Sequence, residues 1–341
     1  MEIQGIFTPN ITPFDENHRI NEGELRRYVS WLIDKGINGL YPNGSSGEFI
    51  RLSYAERLRV AEIIADETNG RVPILVGAAE PNIEMVLDAC AHYADLGCRA
   101  VSVTGPYYYK VSQESIEHYF RELAEKSPID IVLYNIPQFS NEISVEVVRR
   151  LALDCPRIVG TKDSSRDMPR FMFTLEKIKT QRPDFKLLIG CEEILLPTLM
   201  MGADGGTIAT SGVAPEAVMK LYNSFKKGDI TEAKRIQFKM LELIETMFAA
   251  GNFPEGFREG VNLRGFDMGR ARQPMSPAEM QHFNAIRSKL ACLLAECGFQ
   301  EAAAHCTRDS CNGSAPLTNS TLASRIDVEA IVREVMKNLP Q

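Results

Sequence analysis

Apolar and polar positions along the first two-thirds of the chain alternate between two rhythms. Eight short apolar runs bounded by turn residues recur: GIFTPNIT, GLYPNGSS, VPILVGA, AVSVTGP, DIVLYNIP, IVGTKDSS, KLLIGCEE and GGTIATSG. Between them lie stretches of helical periodicity, such as Glu22 to Lys35, Tyr54 to Thr68, Ile83 to Leu96, Ser115 to Lys126 and Val145 to Leu153. Each run is apolar on both faces, as expected of parallel strands covered by helices, and the alternation implies right-handed βαβ units. Eight such units in series predict an α/β fold, a closed (β/α)8 TIM barrel over residues 1–225.

From Pro215 the pattern turns wholly helical, with amphipathic stretches at Ile230 to Ala250 and Pro277 to Cys297. Residues 226–299 are therefore expected to form a C-terminal helical appendage packed on the barrel. Residues 300–323 are small and polar, the composition of a flexible linker. Within 324–341, Val328, Ile331, Val332, Val335, Met336 and Leu339 fall on one side of an expected tethered helix, whose apolar face needs a partner.

The composition narrows the partners. The chain has 341 residues, 44% hydrophobic and 24% charged, with a formal net charge of -7, which disfavours nucleic acid and anionic membrane surfaces. No run approaches a membrane span, and the start MEIQGIFTPN lacks the features of a signal peptide, so a cytoplasmic enzyme is expected. The eight cysteines form no CxxC and sit at no zinc-like spacing with histidine, and are read as reduced thiols. The five histidines are scattered, so no metal site and no cofactor are predicted.

Barrel chemistry takes place at the carboxyl ends of the strands, where three runs carry unusual polar residues. Lys162 closes IVGT, where an ammonium loses hydration; this suits an amine that condenses with a ketone, although Asp163 beside it offers an ordinary salt bridge. Gly44-Ser45-Ser46-Gly47 is either a turn with a helix cap or a nest of N–H groups and hydroxyls for a small carboxylate. Tyr134 is either a core aromatic or a proton shuttle.

Together with Thr12-Pro13-Phe14, Pro106-Tyr107-Tyr108, Tyr134-Asn135-Ile136-Pro137, Gly160-Thr161-Lys162-Asp163 and Gly202-Ala203-Asp204-Gly205-Gly206, these segments resemble the dihydrodipicolinate synthase and N-acetylneuraminate lyase family of pyruvate-dependent class I aldolases over residues 3–297. The resemblance implies that Lys162 forms the imine with a pyruvyl carbonyl and that Tyr134 relays protons through Ser45. It also implies that Ser46, in the turn closed by Gly47, holds the carboxylate and that Thr207 lines the pocket. Tyr108 would complete a neighbouring subunit's relay across an interface, in a homotetramer built as a dimer of dimers.

Synthases of the family carry an arginine two residues past the YNIP proline, where this chain has Phe139, an apolar residue as in the lyases and sugar-acid aldolases. Pro106 to Ser112 looks most like the 2-keto-3-deoxygluconate aldolase branch. Ser164, Glu192 and Glu193 match neuraminate lyase positions that bind substrate hydroxyls, although helix N-terminal charge would equally explain the two glutamates. The implied reaction is cleavage of a 2-keto-3-deoxy sugar acid to pyruvate and an aldehyde. The alternatives are 4-hydroxy-tetrahydrodipicolinate synthesis from aspartate semialdehyde, and a catalytically silent barrel with a scaffold or regulatory role. The tail, 324–341, resembles peptides that direct enzymes to bacterial microcompartment shell proteins; a helix docked on the enzyme itself is the other reading.

Overall fold

The computed structural model describes residues 1–306. Eight parallel strands, β1 (Gly5–Pro9), β2 (Gly39–Tyr41), β3 (Leu75–Gly77), β4 (Ala100–Thr104), β5 (Ile131–Asn135), β6 (Ile158–Asp163), β7 (Lys186–Ile189) and β8 (Gly205–Thr207), coincide with the eight apolar runs. They pair in the order β2-β1-β8-β7-β6-β5-β4-β3. Between β2 and β3 the seam is closed by a parallel bridge, Leu40 to Ile74, and by the Gly77 N–H donating to the Pro42 carbonyl at 2.9 Å. The result is a (β/α)8 TIM barrel.

Helices α1 (Glu22–Asp34), α2 (Tyr54–Thr68), α3 (Ile83–Asp95), α4 (Gln113–Lys126), α5 (Val145–Asp154), α6 (Met168–Lys179), α7 (Leu195–Met201) and α8 (Pro215–Lys226) follow the successive strands. Most begin where the sequence supplies a capping oxygen: Asn21, Ser53, Asn82, Ser112, Ser144 and Asp167 each accept from an N–H of the first turn. In α2 the Glu56 carboxylate also accepts from Ser53, completing a capping box. These caps fix where each helix starts and hence how long each strand-to-helix turn is at the barrel mouth.

Strand alternation divides the buried residues into two layers. Ile3, Phe7, Tyr41, Leu75, Ala100, Val132 and Leu188 pack on one another inside the barrel. Their strand neighbours, among them Ile6, Leu40, Val76, Val101, Ile131 and Leu133, join the larger layer beneath the helices. The lumen is thus filled from below, and only the strand ends remain for a site.

Three further helices complete the body: α9 (Ile230–Ala249), α10 (Glu255–Asn262) and α11 (Pro277–Glu296). Where a linker was expected from residue 300, the chain instead forms a short helix, α12 (Gln300–Ala303), with Ala302 buried and the Arg264 guanidinium 3.7 Å from the centre of the Phe299 ring. The expectation that all cysteines are reduced is also corrected: Cys292 and Cys306 are joined by a disulfide. Spacing on the chain could not show that α12 folds back along α11 and brings the two thiols together. The expected helix at 324–341 and most of the expected linker lie outside the described residues.

Candidate active site

The site forms where β5, β6 and the turn after β2 converge. On β6, Lys162 and Asp163 point to opposite faces, as neighbours on a strand must. Lys162 faces the lumen, 4% exposed, with Nζ 4.2 Å from the Tyr41 ring centre and 3.9 Å from that of Tyr134, its register partner on β5. Asp163 faces the helices, where it accepts from Arg170 Nε at 2.8 Å and from Asn135 Nδ2 at 3.1 Å. The ordinary explanation of Lys162, a salt bridge to its neighbour, therefore does not hold. Among the described residues no ion pair or hydrogen bond reaches its amine. Burial holds the Tyr41 phenol well above its ordinary range, with the nearby Tyr134 phenol adding to the effect, so the ring beneath the lysine stays neutral.

Ser45 to Gly47 form a single 3-10 turn that ends at Glu48 in the left-handed region (φ 58°). That conformation costs on the order of 1 kcal/mol for a residue with a side chain. It is held from outside the turn. Arg51 Nη1 donates to the Glu48 carboxylate at 2.7 Å, and the buried Arg258 of α10 bonds its other oxygen. Arg258 also donates to the Thr12 and Met268 carbonyls at 2.8 and 2.6 Å, and Thr12 Oγ1 donates to the Gly47 carbonyl at 2.8 Å. The Gly47 N–H is spent on the Gly44 carbonyl at 3.0 Å, whereas the N–H groups of Ser45 and Ser46 make no hydrogen bond within the described residues.

A cavity of about 260 Å³ opens above Lys162. Of the residues singled out from sequence, Ser45, Ser46, Tyr134, Phe139, Lys162, Ser164, Glu192 and Thr207 line it. The Thr207 hydroxyl is buried there without a partner. Gly47, Tyr108 and Glu193 do not line it. Tyr108 is 89% exposed, and Glu193 is turned aside, accepting from Arg166 Nε at 3.0 Å. Glu192 is buried and its Oε1 accepts from the Thr210 N–H at 2.9 Å, while its own carbonyl receives Gln237 Nε2 of α9 at 2.7 Å. Burial pushes the thiol of Cys191 up to about 12, that of a packing residue.

Four residues at the site, three phenylalanines and an arginine, carry no signal in the sequence. Phe248, Phe253 and Phe257, from α9, α10 and the segment between them, pack mutually at 5.4 to 6.0 Å between ring centres and line the cavity. Arg166 lines it too. Gly190 matters by lacking a side chain: a Cβ there would lie 2.9 Å from Lys162 Cε and would collide with Ser164 Oγ. Gly190→Ala is expected to lower kcat/KM on the order of 10²-fold by displacing the lysine, with the melting temperature nearly unchanged because only flexible side-chain ends must shift.

The sequence profile of the Dihydrodipicolinate synthetase family matches residues 2–292. The chain belongs to this family. A 4-hydroxy-tetrahydrodipicolinate synthase of Methanopyrus kandleri is 34% identical to it over 85% of this chain and 96% of that one. A probable 2-dehydro-3-deoxy-D-pentonate aldolase of Escherichia coli K12 is 29% identical over 73% of this chain and 85% of that one. Among solved structures, a prophage protein of the dihydrodipicolinic acid synthase family from E. coli K12, in complex with pyruvate, superposes with a TM-score of 0.81 at 26% identity, covering 86% of this chain and 99% of that one. The protein is a pyruvate-dependent lyase of the class I aldolase type. Among the described residues no helix is long and apolar enough to cross a membrane.

Within this family member, Glu192 offers a test by pH. Burial disfavours its charged form, so its carboxyl titrates above the ordinary 4.5. The stability contributed by the neutral form is complete below 4.5 and is lost as the pH rises through the raised value. Glu192→Gln can still accept from Thr210 through its amide oxygen. The variant is therefore expected to melt above wild type by a margin that grows from pH 4 towards neutrality, read by thermal melts across that range.

Proposed function

We propose that this lyase cleaves a 2-keto-3-deoxy sugar acid, or a related 4-hydroxy-2-oxo acid, to pyruvate and an aldehyde through an imine on Lys162. The observation that carries the reading is the amine itself: buried over two aromatic rings and, among the described residues, without ion pair or hydrogen bond, in a cavity that also holds two N–H groups and a hydroxyl with no partner among those residues. The neutral amine adds to the C2 carbonyl, and water leaves to give the iminium. The C4 hydroxyl then loses its proton, the C3–C4 bond breaks with its electrons entering the iminium as an enamine, and the aldehyde departs. Protonation at C3 and hydrolysis release pyruvate and restore the lysine. Tyr134, whose ring faces the amine, and Ser45 carry the protons at C2, with Tyr134 or the substrate carboxylate as the base at C4. Ser46 and the free N–H groups of the turn hold the carboxylate.

Phe139, Ser164 and Glu192 support a hydroxylated tail over a second carboxylate, as does the likeness to the pentonate aldolase. The synthase reading is favoured by one observation, the guanidinium of Arg166 at the cavity wall, although Glu193 already neutralises it. Borohydride reduction in the presence of pyruvate should leave a stable adduct on Lys162. In a panel of 2-keto-3-deoxy acids and aspartate semialdehyde, the sugar acids should be turned over, and efficient use of the semialdehyde would overturn the assignment.

We also infer a homotetramer in which Tyr108 of one subunit serves its neighbour. Its 89% exposure, and the half-exposed Met172, Phe173, Met200 and Met201 on α6 and α7, support association. For residues 324–341 the proposal is docking to a microcompartment shell protein. Removal of residues 307–341, which spares α12 and the disulfide, should leave activity and assembly intact and abolish co-purification with shell proteins.

A further inference from the structure

Lys162 sits in a corner of two aromatic rings. Its Nζ lies 4.2 Å from the centre of the Tyr41 ring and 3.9 Å from that of Tyr134, and the two rings stand at 82° with their centres 6.3 Å apart. Tyr134 belongs to the proton relay, whereas Tyr41 has no part in it. Tyr41 ends β2 and is 1% exposed within this single chain, so no neighbouring subunit reaches it. Phe7, Leu75, Ala100, Val132 and Leu188 pack with it in the lumen and make its ring a fixed floor. The carboxylate turn closes directly on the edge of that ring: a Cβ on Gly44 would come within 2.5 Å of Tyr41 Cε1.

Imine chemistry brings a charge into this corner. The carbinolamine takes a proton from the relay and expels its C2 hydroxyl as water, the nitrogen lone pair forms the C=N bond, and a positive charge comes to rest over Nζ and C2. In a buried site such a charge needs a compensating group. Asp163 does not supply it, being turned to Arg170 behind the strand, and burial disfavours the charged form of Glu192. The substrate carboxylate is engaged by the turn. The phenol of Tyr41 is kept neutral by burial, so what it offers is its ring face, whose quadrupole attracts a cation within about 6 Å of the centroid, most strongly where water is excluded. We propose that Tyr41 is a further catalytic residue of this reaction: its ring face, set nearly at right angles to that of Tyr134, stabilises the iminium on Lys162 over the neutral carbinolamine and enamine on either side of it. The inference rests on the imine reading above.

Borohydride reduces the iminium and neither of its neutral neighbours. The initial rate of adduct formation on Lys162 at saturating pyruvate, followed by intact mass, therefore reads the iminium population. The full-length enzyme is compared with Tyr41→Leu, with Tyr41→Phe, and with forms carrying increasingly fluorinated phenylalanine at position 41. Tyr41→Leu should slow trapping by about tenfold or more, and Tyr41→Phe, which keeps the ring face, should restore most of the loss. Fluorine withdraws electron density from the face at almost constant ring size, so trapping should fall stepwise with each added fluorine while the melting temperature stays near that of Tyr41→Phe. A fluorinated series that traps as fast as Tyr41→Phe would reduce the ring to a packing role and overturn the inference, even where Tyr41→Leu fails to fold. A Tyr41→Phe enzyme as slow as Tyr41→Leu would overturn it as well, by assigning the effect to the hydroxyl. If borohydride and pyruvate leave Lys162 of the wild type unmodified, the imine reading itself fails, and this inference with it.

Discussion

Lys162→Ala is expected to abolish pyruvate trapping by borohydride and to lower kcat by about 10⁴-fold or more, the loss typical of removing the group that carries the covalent chemistry. The fold should survive the change. The lysine makes no ion pair or hydrogen bond among the described residues, so its removal strands no buried partner. Lys162→Arg should be equally inactive, because a guanidinium stays protonated and cannot add to a carbonyl. Intact-mass measurement after borohydride treatment reads the first effect, and circular dichroism confirms the fold. An adduct of undiminished yield in Lys162→Ala would move the nucleophile elsewhere.

The second large effect belongs to a residue that never touches the substrate. Arg258, 1% exposed, bonds the carboxylates of Glu48 and Glu255 and the carbonyls of Thr12 and Met268. Arg258→Ala would leave the buried Glu255 without a cation and Glu48 with Arg51 alone, a change that costs about 3–5 kcal/mol. The expected result is a strongly lowered melting temperature and, in whatever folded protein remains, loss of the left-handed Glu48 that shapes the carboxylate turn. Glu48→Gln separates the two effects. It keeps a hydrogen-bond acceptor for Arg258 and removes one charge, and is expected to weaken binding of pyruvate more than it weakens the fold. Denaturant melts together with KM for the 2-oxo acid distinguish the outcomes.

Much of this architecture is written locally. Asn21, Ser53, Asn82, Ser112, Ser144 and Asp167 are capping residues recognisable before any contact is known, and each apolar run between helices can only be a strand covered on both sides. Lys162, Tyr134 and Ser45 were legible because a polar residue that ends an apolar strand stands at the mouth of a barrel. Glu192 and Glu193 show the opposite case. As adjacent acids they are indistinguishable in sequence, yet Glu192 lines the cavity and Glu193 does not, its carboxylate taken up by Arg166. The linker expected from residue 300 erred for a related reason: Ala302 is buried only because α11 happens to lie beside it.

By itself, then, the sequence determined the elements, their order and the chemical types at the strand ends, because periodicity and capping act over a few residues. Tertiary structure alone decided which of Lys162 and Asp163 faces the lumen. Both sit in a run that is apolar on either side, and only closure of the barrel makes one side an interior. It also decided that Arg258, far along the chain, holds the turn at Glu48, and that Phe248, Phe253 and Phe257 wall the cavity. Such contacts depend on where the appended helices cross the barrel mouth, a matter of packing between distant surfaces that no local pattern of residues encodes.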